Sequence, residues 1–198
     1  MNTTTSERTS NGTVLMPLDC KLIDCREISI DEEISRETAN TIRKLMNLMN
    51  KNDSEQPIKM FINSPGGDVN QALAIIDIIQ GSPAPVVLYC VGEAFSAAAI
   101  ILAAGKHGRY ISPNSNVMLH QPLISGGVSG NCTTIQATSE RLMQTKTRIN
   151  TILALATGHT VQEIDEASAY DHFFSPEEAV DFNLVDRIMS FSEMITEV

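Results

Sequence analysis

Four groups that lie far apart in the sequence carry the kinds of atom that a serine hydrolase uses. Ser96 offers a hydroxyl, His120 an imidazole, Asp171 a carboxylate, and Ser64-Pro65-Gly66-Gly67 a stretch of uncluttered backbone. Nucleophilic catalysis by serine needs a general base within hydrogen-bond reach, a group that orients this base, and donors for the developing oxyanion. The residue types therefore suit acyl transfer, provided that the fold brings them together.

Ser96 follows a predicted strand and opens an apolar helix that continues to Gly105. The free N–H groups of a first helical turn favour negative charge, and the N–H of Ala97 would be one of them. The alternative is that Ser96 is a small residue which lets an alanine-rich helix pack closely. Ala94 and Ala98 stand where a Gly-x-Ser-x-Gly nucleophile elbow has glycines, which argues against an α/β-hydrolase.

The glycine pair after the preceding predicted strand also has two interpretations. Gly66 and Gly67 could simply make a turn. Alternatively, backbone that lacks a Cβ can approach a substrate closely and aim the Gly67 N–H at an oxyanion. The residues alone leave both interpretations open.

Four histidines compete for the role of general base. His107 lies in a probable-turn sequence and His159 in a linker, so both are expected to be solvated. His172 directly follows Asp171, and two adjacent residues cannot by themselves act as base and orienting group for a distant serine. His120 ends an apolar strand, where it can be held rigidly at a cleft. As single residues, however, His120 could be structural and Asp171 a helix cap or turn residue.

Strand and helix signals alternate along the chain, which predicts an α/β domain of strand–turn–helix units. Residues 1–17 are expected to form a flexible arm and residues 18–198 a single domain, with a loop or bent edge strand over the glycine-rich residues 121–131. Capping boxes predict short helices after Thr160 and Ser175. The other predicted elements are strands over residues 21–30, 58–63, 86–90, 109–112, 116–120 and 184–189, and helices over 34–49, 69–80, 96–105 and 133–155.

Composition excludes several other functions. The formal charge is -10, from 24 acidic and 14 basic residues, which argues against binding nucleic acid. No apolar run approaches the roughly 18 residues of a membrane span, and no secretory signal is found. The four cysteines form no CxxC pair, which is typical of free thiols in a reducing cytosol. Metal-ligand spacing and a phosphate-binding loop are absent from the sequence, so we expect no metal, no cofactor and no ATP hydrolysis by this chain.

Five ordered motifs together closely resemble the ClpP family, the proteolytic subunits of the ATP-dependent Clp protease. The resemblance covers about residues 18–190, and the order of the motifs makes it specific. The motifs are Phe61-Ile62-Asn63-Ser64-Pro65-Gly66-Gly67, Gly92-x-Ala94-x-Ser96, Pro113-Asn114-Ser115-x-Val117-Met118-x-His120-Gln121-Pro122, Asp171-x-Phe173-x-Ser175-x-Glu177-Glu178-Ala179 and Leu184-Val185-Asp186.

The resemblance implies a crotonase-like fold of repeated ββα units with a protruding helical handle at about residues 123–157. It also implies a cytoplasmic, self-compartmentalised serine peptidase of two stacked heptameric rings, a tetradecamer. A partner AAA+ ATPase would use ATP to unfold polypeptide substrates and would dock on the heptamer face. A second ClpP-type subunit could share the rings.

The resemblance also implies roles for particular residues, by their positions in the motifs. Ser96 would be the nucleophile, His120 the general base and then acid, and Asp171 the residue that orients His120. The backbone N–H groups of Gly67 and Ala97 would form the oxyanion hole. An extended substrate would pair with a strand at Gly67-Asp68-Val69 and with residues 122–125, and the predicted substrate-binding residues are Gly66, Asp68, Val69, Pro122 and Leu123.

The chain departs from the family's usual pattern around this site. Ala97 and Ala98 replace the usual Met-Gly, which is expected to change the wall of the specificity pocket. Phe95 is bulkier than usual, and Tyr170 replaces an Arg that contributes to ring–ring contacts in family members. These departures, together with an N-terminal arm unlike the family's usual axial loop, indicate a divergent paralogue, for which one subunit of a mixed complex is the expectation.

Three functions remain after this comparison of motifs. The first is an active Clp-type peptidase, and the second is a poorly active regulatory or structural subunit of a mixed complex. The third is a CoA-binding crotonase enzyme, which would share the fold and its oxyanion hole. A crotonase enzyme would not need Ser96, His120 and Asp171 together, so their joint presence favours a peptidase.

Overall fold

The computed structural model describes residues 4–9, 12–124 and 126–196, and in this part of the chain strands and helices alternate. The strands are β1 (Thr4–Thr9), β2 (Gly12–Pro17), β3 (Glu27–Ile30), β4 (Ile58–Ser64), β5 (Val86–Phe95), β6 (Arg109–Ile111), β7 (Asn116–Leu119), β8 (His172–Phe174) and β9 (Arg187–Ile188). The helices are α1 (Leu18–Asp24), α2 (Arg36–Asn52), α3 (Val69–Gln80), α4 (Ala97–Ala103), α5 (Cys132–Thr157), α6 (Val161–Ala167), α7 (Pro176–Asp181) and α8 (Phe191–Thr196). The chain is thus an α/β protein, as the sequence predicted.

A mainly parallel sheet organises the fold, with strand order β3-β4-β5-β6-β9. The long strand β5 pairs with β6 through residues 88–90 and with β7 through residues 93–95, both in parallel. The short strand β8 pairs with β7 and is antiparallel to it. The carboxyl ends of parallel strands meet at the same edge of a sheet, which is where α/β proteins build their sites.

Helix α4 lies in the centre of the hydrophobic core, and all seven of its residues are buried. Its alanines allow neighbouring backbones to approach closely, while Ile100, Ile101 and Leu102 fill the remaining space. Burying one such large aliphatic side chain contributes about 1.5–3 kcal/mol. This packing holds the end of β5, and with it Ser96, in a fixed position.

Most predicted elements of the domain are present, with changes at their ends. Helix α3 covers residues 69–80 as predicted, and α5 ends just before Gly158. The predicted strand over residues 21–30 was wrong in its first part, because α1 occupies Leu18–Asp24 and only Glu27–Ile30 is a strand. Strand β8 and helix α8 were not predicted. None of the described helices is both long and apolar enough to cross a bilayer.

The N-terminal residues, predicted as a flexible arm, contain a β-hairpin that the sequence did not indicate. Strands β1 and β2 pair antiparallel, from Thr4 opposite Pro17 to Thr9 opposite Gly12. Threonine and valine are β-branched and favour extended backbone, which outweighs the polar composition of this segment. Residues 1–3, 10 and 11 of the predicted arm lie outside the described residues.

Candidate active site

The predicted catalytic and oxyanion-hole residues lie at the ends of three strands and at the start of a fourth. Ser64-Pro65-Gly66-Gly67 ends β4, Ser96 follows β5, and His120 follows β7. Strand β7 pairs in parallel with β5, as does β4, so these three positions lie at one edge of the sheet. Asp171 directly precedes β8, whose antiparallel direction puts its first residue at that same edge.

Ser96 occupies a sharp turn between β5 and α4. Its backbone has φ 54° and ψ −119°, a region that side-chain-bearing residues rarely adopt. Its N–H donates to the carbonyl of Met118 at 2.8 Å, which fixes the turn against β7. Strain of this kind costs about 1–3 kcal/mol and concentrates at functional sites. The conformation is that of a strand-to-helix elbow, even though Ala94 and Ala98 replace the glycines of the Gly-x-Ser-x-Gly pattern.

His120 is the histidine that the fold places against Ser96. Its Nε2 lies 2.7 Å from the Ser96 Oγ, a distance at which the hydroxyl can donate to an unprotonated nitrogen. The ring of His159 instead stacks on Phe182, and that of His172 stacks on Phe174. His107 is exposed at the opposite end of α4. Of the four histidines, His120 alone meets Ser96 in the described part of the chain.

Asp171 faces His120 across the antiparallel pair β7–β8. Residues 117, 118 and 119 oppose residues 174, 173 and 172, so the next pair in this register is His120 and Asp171. The Nδ1 of His120 lies 3.4 Å from Asp171 Oδ1, beyond the roughly 2.7–3.2 Å of a well-formed N–H···O bond. The carboxylate side chain is 65% exposed and the imidazole 17%. The orienting residue is therefore in position, but solvated and loosely held.

The turn after β4 packs directly against the elbow. The Ser64 hydroxyl donates to the Glu32 carbonyl at 2.6 Å and accepts from the Gly66 N–H at 3.2 Å, which shapes the turn. A Cβ on Gly66 would lie 2.8 Å from the Ser96 Cβ and 3.0 Å from the Ala97 nitrogen. Only glycine permits this approach, so Gly66 packs directly against Ser96, and its predicted contact with substrate stays a prediction.

The backbone N–H groups of the two predicted oxyanion donors, Gly67 and Ala97, differ in their surroundings. Gly67, at φ 143°, forms a parallel bridge with Ile34, in which the Ile34 N–H donates to Gly66 and the Asp68 N–H donates to the Ile34 carbonyl. The N–H of Gly67 itself therefore points to the other side. Ala97 is the first residue of α4, so its N–H has no partner within the helix. Within the described ranges, neither N–H donates a hydrogen bond.

A groove of about 500 Å³ runs from this turn towards α5. Four of the predicted substrate-binding residues line it, namely Asp68, Val69, Pro122 and Leu123, and Gly66 does not. The prediction of a strand at Gly67-Asp68-Val69 was wrong, because Asp68 caps α3 and Val69 begins it. Of these three residues, Gly67 alone lies in a β-bridge, so the expected pairing with substrate is limited to its backbone. Residue 125 of the other predicted substrate segment lies outside the described residues.

The alanines after the nucleophile do not form a wall of this groove. Ala97 and Ala98 are fully buried in the core, and neither lines the groove. The expectation that they change the wall of the specificity pocket stays a prediction, and any effect of theirs on this groove would be indirect. The apolar part of the lining comes from three different segments, and it consists of Val69, Pro122, Leu123, Ile124 and Leu142.

Gln121 is a site residue that the sequence analysis missed. Its side-chain amide donates to the carbonyl of Ala169 at 3.0 Å, which ties the segment before Asp171 to the segment that carries His120. Its position next to His120 was the available signal, but a surface glutamine has many possible partners. Gln121 thus helps to hold two members of the triad together.

The nearest buried thiol does not compete with Ser96 as a nucleophile. Cys90 is fully buried on β5, and burial raises the pKa of its thiol to about 12. The thiol therefore stays protonated at neutral pH. Within the described residues, no three His, Cys, Asp or Glu side chains come together to hold a metal ion.

The fold and the site define an α/β chain with a serine, a histidine and an aspartate at one edge of a mainly parallel sheet. The sequence matches the profile of the Clp protease family over residues 11–192, and the chain belongs to this family. It is 37% identical to the ATP-dependent Clp protease proteolytic subunit 2 of Chlamydia trachomatis serovar D, over 93% of this chain and 90% of that protein. The protein of the same name from serovar A matches it to the same extent. These identities are consistent with a divergent member of the family.

Proposed function

We propose that this chain is a serine endopeptidase subunit of a compartmentalised Clp-type protease. The observation that carries the proposal is the 2.7 Å contact between Ser96 Oγ and His120 Nε2 at a strained strand-to-helix elbow. A packing serine needs neither the strained backbone nor an imidazole partner. Membership of the Clp protease family supports the same reaction class.

The reaction follows from the positions of the groups. The Ser96 oxygen attacks a peptide carbonyl while His120 Nε2 takes the hydroxyl proton, and Asp171 stabilises the imidazolium through Nδ1. The N–H groups of Gly67 and Ala97 bind the oxyanion. His120 then gives its proton to the leaving amine, and an acyl group remains on Ser96. Water activated by His120 hydrolyses this ester and restores the hydroxyl.

We extend the proposal to the assembly. The chain would form heptameric rings, stacked as a tetradecamer or shared with a second ClpP-type subunit, in the cytoplasm. An AAA+ ATPase would deliver unfolded polypeptide, since the chain itself would use neither ATP nor another cofactor. The relatives are named as proteolytic subunits of an ATP-dependent protease, which supports such a partner.

Helix α5 would be the protruding handle of a crotonase-like fold. Its buried residues are confined to its second half, namely Ile149, Asn150, Leu153 and Thr157. Residues 132–148 therefore lack a buried face within this chain. A helix without a packed face in one subunit is suited to packing against another.

A second candidate is a poorly active subunit that regulates or completes a mixed complex. The 3.4 Å separation of His120 from Asp171 and the exposure of that carboxylate favour it. The two candidates differ in the reactivity of Ser96. They share the family and the assembly.

A fluorophosphonate probe separates the two functions. Labelling of wild-type chain, alone and together with a second Clp-type subunit and an ATPase, is read by mass spectrometry of the peptide that carries Ser96. An active peptidase gives an adduct at Ser96 and hydrolyses a fluorogenic peptide, and Ser96→Ala lowers that hydrolysis by at least about 10⁴-fold without loss of native mass. No Ser96 adduct in any assembled state would support the regulatory subunit, and turnover retained by Ser96→Ala would contradict a serine mechanism.

A further inference from the structure

An aromatic contact joins the strand of the nucleophile to the strand of the orienting aspartate. The rings of Phe95 and Phe173 meet edge to face, with centroids 5.5 Å apart and planes at 88°. Phe95 directly precedes Ser96, and Phe173 follows Asp171 by two residues. Edge-to-face contact is a favoured geometry for two aromatic rings, so the pair has a defined separation and orientation.

Strand register puts these rings in one row with the strand of the general base. Phe95 opposes Met118 on β7, and Met118 in turn opposes Phe173 on β8. The two rings therefore meet across Met118, whose side chain is buried. Because side chains alternate along a strand, Met118 shares a face with His120, and Phe173 shares a face with Asp171. The row lies two residues behind His120 and Asp171 on the same side of the sheet, and Phe95 directly precedes Ser96.

Asp171 depends on this row because little else holds it. Its carboxylate is 65% exposed, and His120 is its one ion-pair or hydrogen-bond partner among the residues that the structure describes. Strand β8, which carries it, is three residues long. Gln121 holds the chain two residues before Asp171, through the Ala169 carbonyl, and Phe173 holds it two residues after.

We propose that Phe95 and Phe173 form an aromatic clamp that positions Asp171 against His120. This inference rests on the proposed function, because it concerns the same triad. Phe173 is a positioning residue that acts through Asp171. The clamp fixes the distance from β8 to the elbow, and with it the distance between the carboxylate and Nδ1. The bulky residue before the nucleophile then has a purpose in this chain, since a small side chain there could not reach Phe173.

A double-mutant cycle with Asp171→Asn tests the clamp. Phe173→Leu is expected to lower kcat for a fluorogenic peptide by about tenfold to a hundredfold, with KM unchanged, because a small misplacement of a catalytic group has effects of this size. Phe173→Tyr keeps the ring and should retain kcat within about twofold. The rate of Ser96 labelling by a fluorophosphonate is measured in both backgrounds. Phe173→Leu should lower it in the wild-type background and change it by less than about twofold on the Asp171→Asn background, because the residue it acts through is gone.

Phe191→Leu is the matched control. Phe191 is 56% exposed, against 55% for Phe173, and it packs on Phe61 away from the triad, so its replacement should leave kcat unchanged. Native mass is measured for every variant. If Phe173→Leu does not assemble, Phe95→Leu takes its place in the cycle.

Each other result overturns the clamp. Unchanged kcat in Phe173→Leu would show that the contact is not needed. An equal loss with and without the Asp171 carboxylate would show that Phe173 does not act through Asp171, and a change confined to KM would make it a substrate contact. A wild-type chain whose Ser96 never labels in the assembled complex contradicts the proposed function itself, and the clamp falls with it.

Discussion

At the scale of single residues, the strained backbone of Ser96 is the feature that supports its proposed role as nucleophile over that of a packing serine. Its φ of 54° and ψ of −119° are suited to glycine, and the Met118 carbonyl holds the residue there. A structural serine in an alanine-rich helix start would relax to ordinary dihedral angles. The strained backbone at Ser96 is expected to lower the free energy of unfolding, as strained residues at functional sites do.

Ser96→Gly should therefore be more stable than Ser96→Ala. Both variants lose the hydroxyl and its contact with His120, but glycine adopts the native backbone without a Cβ penalty. We expect the free energy of unfolding of Ser96→Gly to exceed that of Ser96→Ala by about 1 kcal/mol. Urea unfolding of the two variants at one protein concentration measures the difference.

Ala99→Gly is the control for this comparison. Ala99 lies inside α4, where replacement of alanine by glycine costs about 1 kcal/mol or more. The effect of glycine should thus have opposite signs at two positions three residues apart. Suppose instead that glycine lowered the free energy of unfolding at both positions, in Ser96→Gly compared with Ser96→Ala and in Ala99→Gly compared with wild type. The elbow would then carry no strain.

The residue types of the triad were predictable from the sequence, but its geometry was not. The motif order identified Ser96, His120 and Asp171, because each type and its neighbours are visible in the chain. The distances of 2.7 Å and 3.4 Å depend on strand register and on side-chain packing across segments far apart in sequence. For the same reason, no local pattern indicated the contact of Phe95 with Phe173.

At the scale of elements, the site results from the register of short strands. Strand β5 was predicted over residues 86–90 but continues to Phe95, since its second half pairs with β7. Strand β8 has three residues, too few for an alternating pattern to indicate it. Such a strand forms because β7 offers an edge to pair with. Tertiary pairing thus created the elements that the sequence alone could not predict.

The helix starts, in contrast, followed from local chemistry. The predicted capping boxes at Thr160 and Ser175 are present, with Glu163 and Glu178 as their partners. Two that were not predicted are at Ser35, before α2, and at Ser190, before α8. In α7 the Ser175 N–H donates to the Glu178 carboxylate at 2.8 Å. Groups three residues apart make these bonds, so sequence spacing suffices to predict them.

These caps should make the stability of α7 depend on pH. The Ser175 backbone N–H, and then its hydroxyl, lower the pKa of Glu178 below its ordinary 4.5. The folded carboxyl therefore binds a proton less readily than the unfolded one, so its stabilisation is present above pH 4.5 and is lost as the pH falls through the lowered pKa. Glu178→Gln, which can still accept the bond but cannot titrate, should be less stable than wild type near pH 7 and should approach it at acid pH.

Urea unfolding of wild type and Glu178→Gln at several pH values between about 7 and 3.5 measures this difference, a range that brackets an unperturbed carboxyl pKa. Glu177→Gln is the matched control, because it removes a carboxylate from the same helical turn and leaves both capping bonds intact. If the two variants differed from wild type equally at every pH, the cap would not be the source of the pH dependence.

At the scale of the whole molecule, the single chain leaves several large apolar side chains exposed near the candidate active site. Tyr170 and Phe173 flank Asp171 in the sequence, and Leu123 follows His120 by three residues. Their exposed fractions are 87%, 55% and 62%, in that order. Gln121 brings the two segments that carry them together. Adjacent exposed apolar groups of this size mark contacts with another protein. A neighbouring subunit that covered them would also remove water from Asp171, which strengthens its interaction with His120.

Activity should therefore depend on assembly, through the surface around Tyr170. On dilution, the peptide hydrolysis per chain is expected to fall together with the native mass. Tyr170→Glu adds a charge at this surface, and we expect it to raise the concentration at half-dissociation by about tenfold or more, which corresponds to about 1.4 kcal/mol. Tyr170→Phe keeps the apolar ring and should assemble like wild type.

Native mass and peptide hydrolysis, measured on the same dilution series for the three proteins, distinguish the possibilities. The side chain of Tyr170 is almost fully exposed, so neither substitution should alter the fold of the chain itself, and circular dichroism checks this. Loss of assembly in Tyr170→Glu but not in Tyr170→Phe would assign the surface to a subunit contact. Full activity in dissociated wild-type chains would contradict the dependence, because the exposed Asp171 would then suffice to orient His120 without any neighbouring subunit.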